Sequence, residues 1–281
     1  MGLRRAWKAI LMAFGLSGCS ALDVLDAVVP GSGYVADTDL PYGDGARRRL
    51  DVYRPLAASS GPVGAPVIVF FYGGNWESGA RRLYRFVGQG FAKQGFVTVV
   101  PDYRLYPEVR YPAFVEDGAA AVAWVVRNIA RFGGDPGHII LVGHSAGAHT
   151  ALMLALNPAF LGADRAALAG AVGLAGPYDF EPRGRNRDIL DADAGGPSSM
   201  PIDYVDGTGP PVLLLTGDAD TIVSPGNSAR LAARIREHGG RVRVIEYQGV
   251  GHTKILAALA APLTWLLPVR HDVAAFANNP S

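Results

Sequence analysis

The sequence predicts an α/β fold, in which helices cover both faces of one mostly parallel β-sheet. Apolar segments with strand character alternate with segments of helical periodicity along the chain. The strand-like segments are continuously apolar and rich in β-branched residues, as buried parallel strands are. No repeat or change of composition interrupts residues 46–270, which indicates a single domain.

Charge and hydropathy narrow the classes of function. The chain of 281 residues has 26 Lys and Arg against 25 Asp and Glu, and 49% of its residues are hydrophobic. A nearly neutral balance without a clustered basic face argues against nucleic-acid binding. No apolar run reaches the roughly 18–20 residues of a transmembrane helix. These properties are typical of a globular domain.

In the first half of the chain, each element has its own pattern. "RRRLDVYRP" (47–55) alternates polar and apolar residues, which predicts a half-buried strand. "APVIVFFYGG" (65–74) and "FVTVVPDYR" (96–104) are predicted buried strands, and residues 81–94 between them are predicted to be helical. Residues 112–133 have the apolar spacing of a long amphipathic helix that two glycines close.

The second half continues the alternation of strands and helices. Its strands are short apolar runs, and its helices have apolar residues three or four positions apart. In chain order the predicted elements are strand 138–143, helix 147–157, strand 168–176, strand 211–217, helix 226–238, strand 241–248 and helix 254–267.

Two further segments are predicted to lie outside this alternating pattern. Residues 19–45, with a Pro-Gly-Ser-Gly run, are predicted to be a tether to a domain that spans residues 46–281. Residues 181–208 are rich in Asp, Arg, Pro and Gly and longer than an ordinary connection. We therefore expect residues 181–208 to form a short lid or rim over a site.

The N-terminus predicts a lipoprotein signal over residues 1–18. Basic residues precede a short apolar stretch and the sequence Leu-Ser-Gly-Cys, which resembles a bacterial lipobox. Cys19, the only cysteine, would be acylated, and Ser20 after it is not the Asp of an inner-membrane retention signal. The expected location is the outer membrane, facing the periplasm and anchored in the bilayer. The alternative is an amphipathic first helix with an incidental cysteine.

The stretch "IILVGHSAGAHTALMLAL" (139–156) places Ser145 in a G-x-S-x-G pattern between a predicted strand and a predicted helix. Flanking glycines permit a sharp turn that lifts the serine hydroxyl above the sheet. The Ala146 N–H would then lie at a helix N-terminus, where developing negative charge is stabilised. Ser145 is thus a candidate nucleophile, although a serine can also be merely a small residue in a tight turn.

Two later strand ends carry an acid and a base. In "TGDADTIVS", Asp220 is the candidate acid and Asp218 is expected to shape the turn, unless both only cap the helix near residue 226. In "QGVGHTK", His252 is the candidate base on an exposed loop between glycines and a helix start. The chain order Ser145, Asp220, His252 is that of the α/β-hydrolase fold.

Two other histidines and an early glycine-rich turn complete the candidate site. His144 is expected to line the pocket or to pack, and His149 is expected to be structural. "FFYGGNWESG" (70–79) ends a strand in glycines whose N–H groups can face a developing oxyanion, unless they form only a tight turn. Gly74 and Asn75 are the candidate donors beside Ala146, with Trp76 as an apolar wall of the pocket.

Together, "YGGNW", "PDYRLYPEVRYPAFVEDGAAAVAWV", "FGGDP", "GHSAGAH", "GDADTIV" and "GH" resemble the carboxylesterases related to hormone-sensitive lipase. The short-capped branch, which includes feruloyl-esterase-like enzymes, isoprenylcysteine methylesterase and kynurenine formamidase, is most similar. The resemblance covers about residues 46–267 and implies an α/β-hydrolase fold and an acyl-serine mechanism without metal or cofactor. One position departs from it, because Tyr72 stands where the family usually has a His that braces the oxyanion loop.

Three functions are compatible with these patterns. The first is a serine carboxylesterase that acts on small or medium acyl or aryl esters. The second keeps the same three residues but cleaves an aryl formamide. The third is a non-catalytic envelope protein on a hydrolase scaffold, which the presence of Ser, Asp and His at the expected strand ends disfavours.

Overall fold

The computed structural model of the chain describes residues 31–56, 64–190, 196–260 and 263–280. The signal peptide predicted over residues 1–18 and the acylation site predicted at Cys19 lie outside the described residues. Within those ranges, the structure has no helix that combines the length and the apolar character needed to cross a membrane.

Eight strands form one sheet in the described part of the chain. They are β1 (Tyr34–Pro41), β2 (Arg49–Pro55), β3 (Ala65–Phe71), β4 (Val97–Pro101), β5 (Gly134–His144), β6 (Leu168–Leu174), β7 (Val212–Gly217) and β8 (Val242–Tyr247). Their order across the sheet is β1-β2-β4-β3-β5-β6-β7-β8. The six strands from β3 to β8 pair in parallel, whereas β1 and β2 form an antiparallel edge.

The first strand corrects the predicted tether of residues 19–45. Tyr34–Pro41 pairs with β2, so the sheet begins before residue 46. The side chains of β1 are half-buried or exposed, and its sequence "YVADTDLP" has no apolar stripe that would mark a strand. Backbone pairing and a hydrogen bond from the Asp39 N–H to Asp51 Oδ1 (2.8 Å) hold this strand in place instead.

Helices cover both faces of the sheet. They are α1 (Arg85–Ala92), α2 (Ala113–Asn128), α3 (Ala146–Leu156), α4 (Pro158–Leu161), α5 (Arg185–Leu190), α6 (Gly226–Glu237), α7 (His252–Ala257) and α8 (Val269–Asn278). Short 3₁₀ turns at Arg81–Tyr84 and Ile129–Phe132 complete two of the predicted helical segments. The predicted strands and the other long helices agree with the structure to within a few residues.

The predicted helix 254–267 begins close to its predicted start but is wrong in its end. The chain forms the short α7 from His252 to Ala257 and starts a separate helix, α8, after Pro268. Between the two helices, turn hydrogen bonds join Leu263 N–H to the Ala260 carbonyl and Leu266 N–H to the Leu263 carbonyl. Proline has no N–H and favours the start of a helix over its interior, which explains a new helix after residue 268.

The central strand β5 leads directly into the most deeply buried helix. Ile140, Leu141 and Val142 of β5 have no exposed surface, and every residue of α3 is buried. Because parallel strands end at the same edge of the sheet, the loops after β3, β5, β7 and β8 meet at one place. All the candidate catalytic and oxyanion residues lie in or next to these loops.

The described parts of the predicted lid, residues 181–208, pack on the body of the domain as a rim. Residues 181–190 contain α5, residues 191–195 lie outside the described residues, and Pro201–Tyr204 is a 3₁₀ turn. Tyr111 holds both parts: its N–H donates to the Ile189 carbonyl (2.9 Å) and its hydroxyl to the Ser198 carbonyl (2.8 Å).

Candidate active site

Ser145 occupies a strained turn between β5 and α3. Its φ of 55° and ψ of −123° lie in a region that costs a non-glycine residue about 1–3 kcal/mol. A Cβ atom on Gly143 would lie 2.1 Å from the Gly147 carbonyl oxygen, and one on Gly147 would lie 2.1 Å from that of Phe71. The Ser145 side chain does not cap α3. Two obligatory glycines and a serine that makes no cap are poorly explained by a tight turn alone.

Asp220 and His252 form a buried hydrogen-bonded pair. His252 Nδ1 lies 2.8 Å from Asp220 Oδ2, and the two residues are 8% and 7% exposed. The other carboxylate oxygen of Asp220 accepts from the backbone N–H groups of Ile222 and Val223, both at 2.9 Å. Since Asp220 accepts at Nδ1, that nitrogen carries the proton and Nε2 is the basic one.

Asp218 has a different task from Asp220. Its exposed carboxylate accepts from the Gly249 N–H at 2.7 Å and so ties the loop after β7 to the loop after β8. The two loops approach so closely that a Cβ atom on Gly217 would lie 2.0 Å from the Val250 carbonyl oxygen. Neither aspartate caps α6, whose N-cap is Pro225. The structure therefore brings Asp220, and not Asp218, to His252.

The predicted exposure of His252 is wrong. The residue is buried and begins α7, where the prediction was an exposed loop before a helix. Its ring packs against the ring of His144 with centroids 4.8 Å apart, and its carbonyl lies 3.1 Å from His144 Nε2. These contacts, together with the closely approaching loops, cover the histidine while its ring still lines the cavity.

The turn after β3, residues 73–79, presents unpaired N–H groups beside Ser145. Within the described residues, the N–H groups of Gly74, Asn75 and Ala146 donate no hydrogen bond, and all three residues line the same cavity as Ser145. Gly74, Asn75 and Trp76 have φ values of 126°, 54° and 58°. These positive φ values mark an irregular turn whose free N–H groups can stabilise a developing negative charge in the cavity.

Tyr72 braces the base of the 73–79 loop. Its ring stacks between Tyr84 and Tyr103 at centroid distances of 5.1 and 4.7 Å, and its hydroxyl donates to Asp102 Oδ1 at 2.7 Å. Arg47 Nη2 donates to the same hydroxyl (2.9 Å) and to the Gly79 carbonyl (2.8 Å). Burial raises the pKa of Tyr72 well above its usual value, so the hydroxyl stays protonated. Tyr72 thus lies at the start of the loop and, through Arg47, also fixes its last residue, Gly79.

The two other histidines are neutral and structural. Burial, with the nearby His252, lowers the pKa of His144 to about 3, and burial lowers that of His149 to about 4. The Nε2 atom of His149 lies 2.6 Å from the Ser199 carbonyl, and its ring meets Trp76 edge-on at 5.1 Å. His144 lines the cavity and holds the His252 backbone, while His149 supports the Trp76 wall.

A cavity of about 930 Å³ unites these groups. Ser145, His252 and the three residues with unpaired N–H groups line it, and its surface is mostly apolar. Among the described residues, no group of three or more His, Cys, Asp or Glu side chains is arranged to hold a metal ion. The wall residues include Trp76, Leu83, Tyr84, Pro177, Phe180, Asn186, Ile222, Val223 and Leu256.

Comparison with protein families identifies the domain. The BD-FAE family model matches residues 50–182, which contain the 73–79 loop and Ser145. The chain carries a BD-FAE domain. The resemblance to esterases related to hormone-sensitive lipase that the sequence motifs indicate is thereby confirmed.

Curated relatives extend the likeness beyond the BD-FAE domain. Esterase LipQ of Mycobacterium tuberculosis is 32% identical over 250 residues, which are 80% of this chain and 59% of LipQ. The probable isoprenylcysteine alpha-carbonyl methylesterase ICMEL1 of Arabidopsis thaliana is 28% identical over 76% of this chain and 50% of its own length. The chain thus spans only between half and three fifths of these two relatives.

A solved structure confirms the α/β-hydrolase fold. Esterase B of Lactobacillus rhamnosis, inhibited by a C6-C4 SN3 compound, superposes with a TM-score of 0.78 over 98% of this chain and 97% of its own. Its sequence identity of 19% supports the fold alone. The two proteins therefore share the α/β-hydrolase fold.

Several residues around the BD-FAE site carry no local sequence signal. Arg47 contacts Tyr72 across 25 positions. Asp102 lies in the PDYR motif, but it accepts from Tyr72 across 30 positions, and no local pattern indicates either contact. Glu77 lies inside the glycine-rich motif, but its partner Arg185 is 108 positions away. Tyr72, which replaces the usual His of the family, is the sequence feature that indicates a different support for the loop.

We expect Tyr72→Phe to lower the free energy of unfolding by about 1–3 kcal/mol, because Asp102 and Arg47 lose a buried partner. Chemical denaturation measures this change. Tyr247→Phe is the matched control, since the hydroxyl of Tyr247, on the edge strand β8, donates to the partly buried Asp272 at 2.6 Å. An equal or smaller loss for Tyr72→Phe than for Tyr247→Phe would contradict the bracing role.

We also expect the protein to lose stability below pH 6.5. Folding lowers the pKa of His144 to about 3 and of His149 to about 4, so the unfolded chain binds protons first. The contribution of these neutral rings to the free energy of unfolding is complete above their unfolded-state pKa. As the pH falls below that pKa, the free energy of unfolding declines by about 1.4 kcal/mol per pH unit for each ring. Denaturation at several pH values between 6.5 and 5 should show a smaller slope in His149→Gln. The exposed His271→Gln should keep the wild-type slope, and an unchanged slope in His149→Gln would count against buried neutral rings.

Proposed function

We propose that this protein is a serine carboxylesterase that works through an acyl-serine intermediate. The observation that carries the proposal is the buried Asp220–His252 hydrogen bond of 2.8 Å beside Ser145, in a cavity that also contains unpaired backbone N–H groups. The names of the curated relatives, an esterase and a probable methylesterase, support the same class of reaction.

The first half of the reaction forms the acyl-enzyme. Ser145 Oγ attacks the ester carbonyl carbon while His252 Nε2 takes the hydroxyl proton, and Asp220 stabilises the imidazolium through Nδ1. The carbonyl oxygen becomes an oxyanion that the N–H groups of Ala146, Gly74 and Asn75 stabilise. The carbon–oxygen bond to the alcohol then breaks, and His252 gives its proton to the leaving alkoxide.

The second half releases the acid. A water molecule gives a proton to His252 Nε2 and adds to the acyl carbon, and the same N–H groups stabilise the new oxyanion. The bond to Ser145 Oγ breaks, and the serine recovers its proton from His252. The cycle needs neither a metal ion nor an organic cofactor. Among the described hydrogen bonds there is none between Ser145 and His252, so in our proposal this contact forms with bound substrate.

The cavity suits a small or medium acyl or aryl ester. A volume of about 930 Å³ holds a ligand of drug-like size, and most of its wall is apolar. Ile222 lies at this wall with 68% of its surface exposed, two residues after Asp220. An exposed apolar side chain at the cavity can cover an apolar chain or ring of the substrate.

We expect Ser145→Ala to lower kcat/KM for p-nitrophenyl butyrate by at least about 10⁴-fold, because the nucleophile is absent. A fluorophosphonate probe should label the wild type and leave Ser145→Ala unlabelled. N-formylkynurenine is the comparison substrate, and faster turnover of it than of aryl esters would assign the site to an aryl-formamide hydrolase instead. A wild-type protein that hydrolyses neither and takes no label would be a non-catalytic scaffold.

We further propose that the mature protein is anchored by acylated Cys19 in a bacterial outer membrane, with the cavity in the periplasm. The support is the sequence of residues 1–19, in which basic residues are followed by an apolar stretch and then by Leu-Ser-Gly-Cys. Other than an ester substrate, the lipid bilayer is the only partner in this proposal.

In a bacterial host, Cys19→Ser should abolish incorporation of radiolabelled palmitate and release the protein from the membrane fraction. Ser17→Ala, which keeps the cysteine and a small residue nearby, is the control that should still be labelled. Membrane association that survives Cys19→Ser would contradict the anchor.

A further inference from the structure

The conformation of the 73–79 loop needs support from outside the loop. Asn75 and Trp76 are consecutive non-glycine residues with φ values of 54° and 58°, a backbone conformation that L side chains rarely adopt. Tyr72 and Arg47 fix the beginning and the end of the loop. Neither of them contacts Asn75, whose N–H is a proposed oxyanion donor.

A closed series of contacts holds the middle of the loop. Asn75 Nδ2 donates to Glu77 Oε2 at 3.0 Å, and Arg185 Nε, from α5, donates to Glu77 Oε1 at 2.6 Å. The Arg185 guanidinium lies 4.9 Å from the centre of the Tyr106 ring. The Tyr106 N–H completes the series by donating to the Trp76 carbonyl at 2.8 Å.

The charge of Glu77 gives this series a second effect. Glu77 lines the cavity, so its carboxylate would repel the negative charge that develops on a substrate carbonyl. Arg185 neutralises the carboxylate, and hydrogen bonds from Arg185 and Asn75 lower the pKa of Glu77. Arg185 is 63% exposed and Glu77 is 28% exposed, so salt weakens the pair.

We propose that Glu77 and Arg185 are positioning residues for the oxyanion donors. Their ion pair holds Asn75 in its left-handed conformation and removes the repulsion between Glu77 and the oxyanion. The proposal rests on the acyl-serine function proposed above. Through this ion pair, α5 contributes to the chemical step, because Arg185 is its first residue.

The test compares kcat and KM for p-nitrophenyl butyrate in four variants of the full chain. Arg185→Gln leaves an uncompensated carboxylate beside the oxyanion, and we expect kcat to fall about fivefold, the upper end for a half-exposed ion pair. We expect KM to stay within about twofold, since the interaction acts mainly in the transition state. Adding Glu77→Gln to Arg185→Gln should restore most of the lost kcat, because the uncompensated charge is gone.

Glu77→Ala removes the partner of Asn75 and should also lower kcat. Arg183→Gln is the matched control, since Arg183 pairs with Glu181 on the same segment, where both side chains are exposed, and it should keep the wild-type kcat. High salt should lower the wild-type kcat toward that of Arg185→Gln. It should lower the kcat of Arg183→Gln by the same factor as that of the wild type.

Two results would overturn the positioning role in an active wild-type enzyme. One is a wild-type kcat in both Arg185→Gln and Glu77→Ala. The other is a double variant, Arg185→Gln with Glu77→Gln, whose kcat is no higher than that of Arg185→Gln alone, which would mean that the uncompensated carboxylate does not cause the loss. Absence of all hydrolysis in the wild type would instead contradict the proposed function, so the two failures are distinguishable.

Discussion

The turn from Gly143 to Gly147 is the constraint on which the rest of the site depends. It joins the central strand to a fully buried helix, and a side chain on either glycine would overlap a backbone carbonyl. Between these glycines, Ser145 has a positive φ of 55°, which is strained for a residue with a side chain. Packing of β5 and α3 supplies the free energy that maintains this strain, since both are buried in the core.

Around this turn, backbone groups do most of the positioning. Backbone N–H groups fix the free oxygen of Asp220, and the His144 ring holds the His252 carbonyl, so the acid–base pair is oriented without any bound substrate. Donors that are already oriented stabilise a developing charge without reorganising, which is the main electrostatic source of catalysis in such sites. The 73–79 loop meets the same requirement through Tyr72 at its base and Glu77 at its middle.

Local sequence patterns predict the parts of the site that depend on strand ends. Ser145, Asp220 and His252 each follow an apolar strand, and parallel strands bring such positions to one edge. The strand β1 could not be predicted, because its polar sequence is held by pairing and not by burial. The burial of His252 and the Arg47 and Arg185 contacts depend on loops far apart in the chain, and no periodicity reports such contacts.

The central claim is that Ser145 and the N–H groups of Ala146 and the 73–79 loop act on the same reacting atoms. A crystal structure of the phosphonylated protein tests it most directly. The account predicts phosphorus bonded to Ser145 Oγ, with the phosphonyl oxygen accepting hydrogen bonds from the N–H of Ala146 and from that of Gly74 or Asn75. A phosphonyl oxygen turned away from these donors, or phosphorus bonded to another residue, would contradict it.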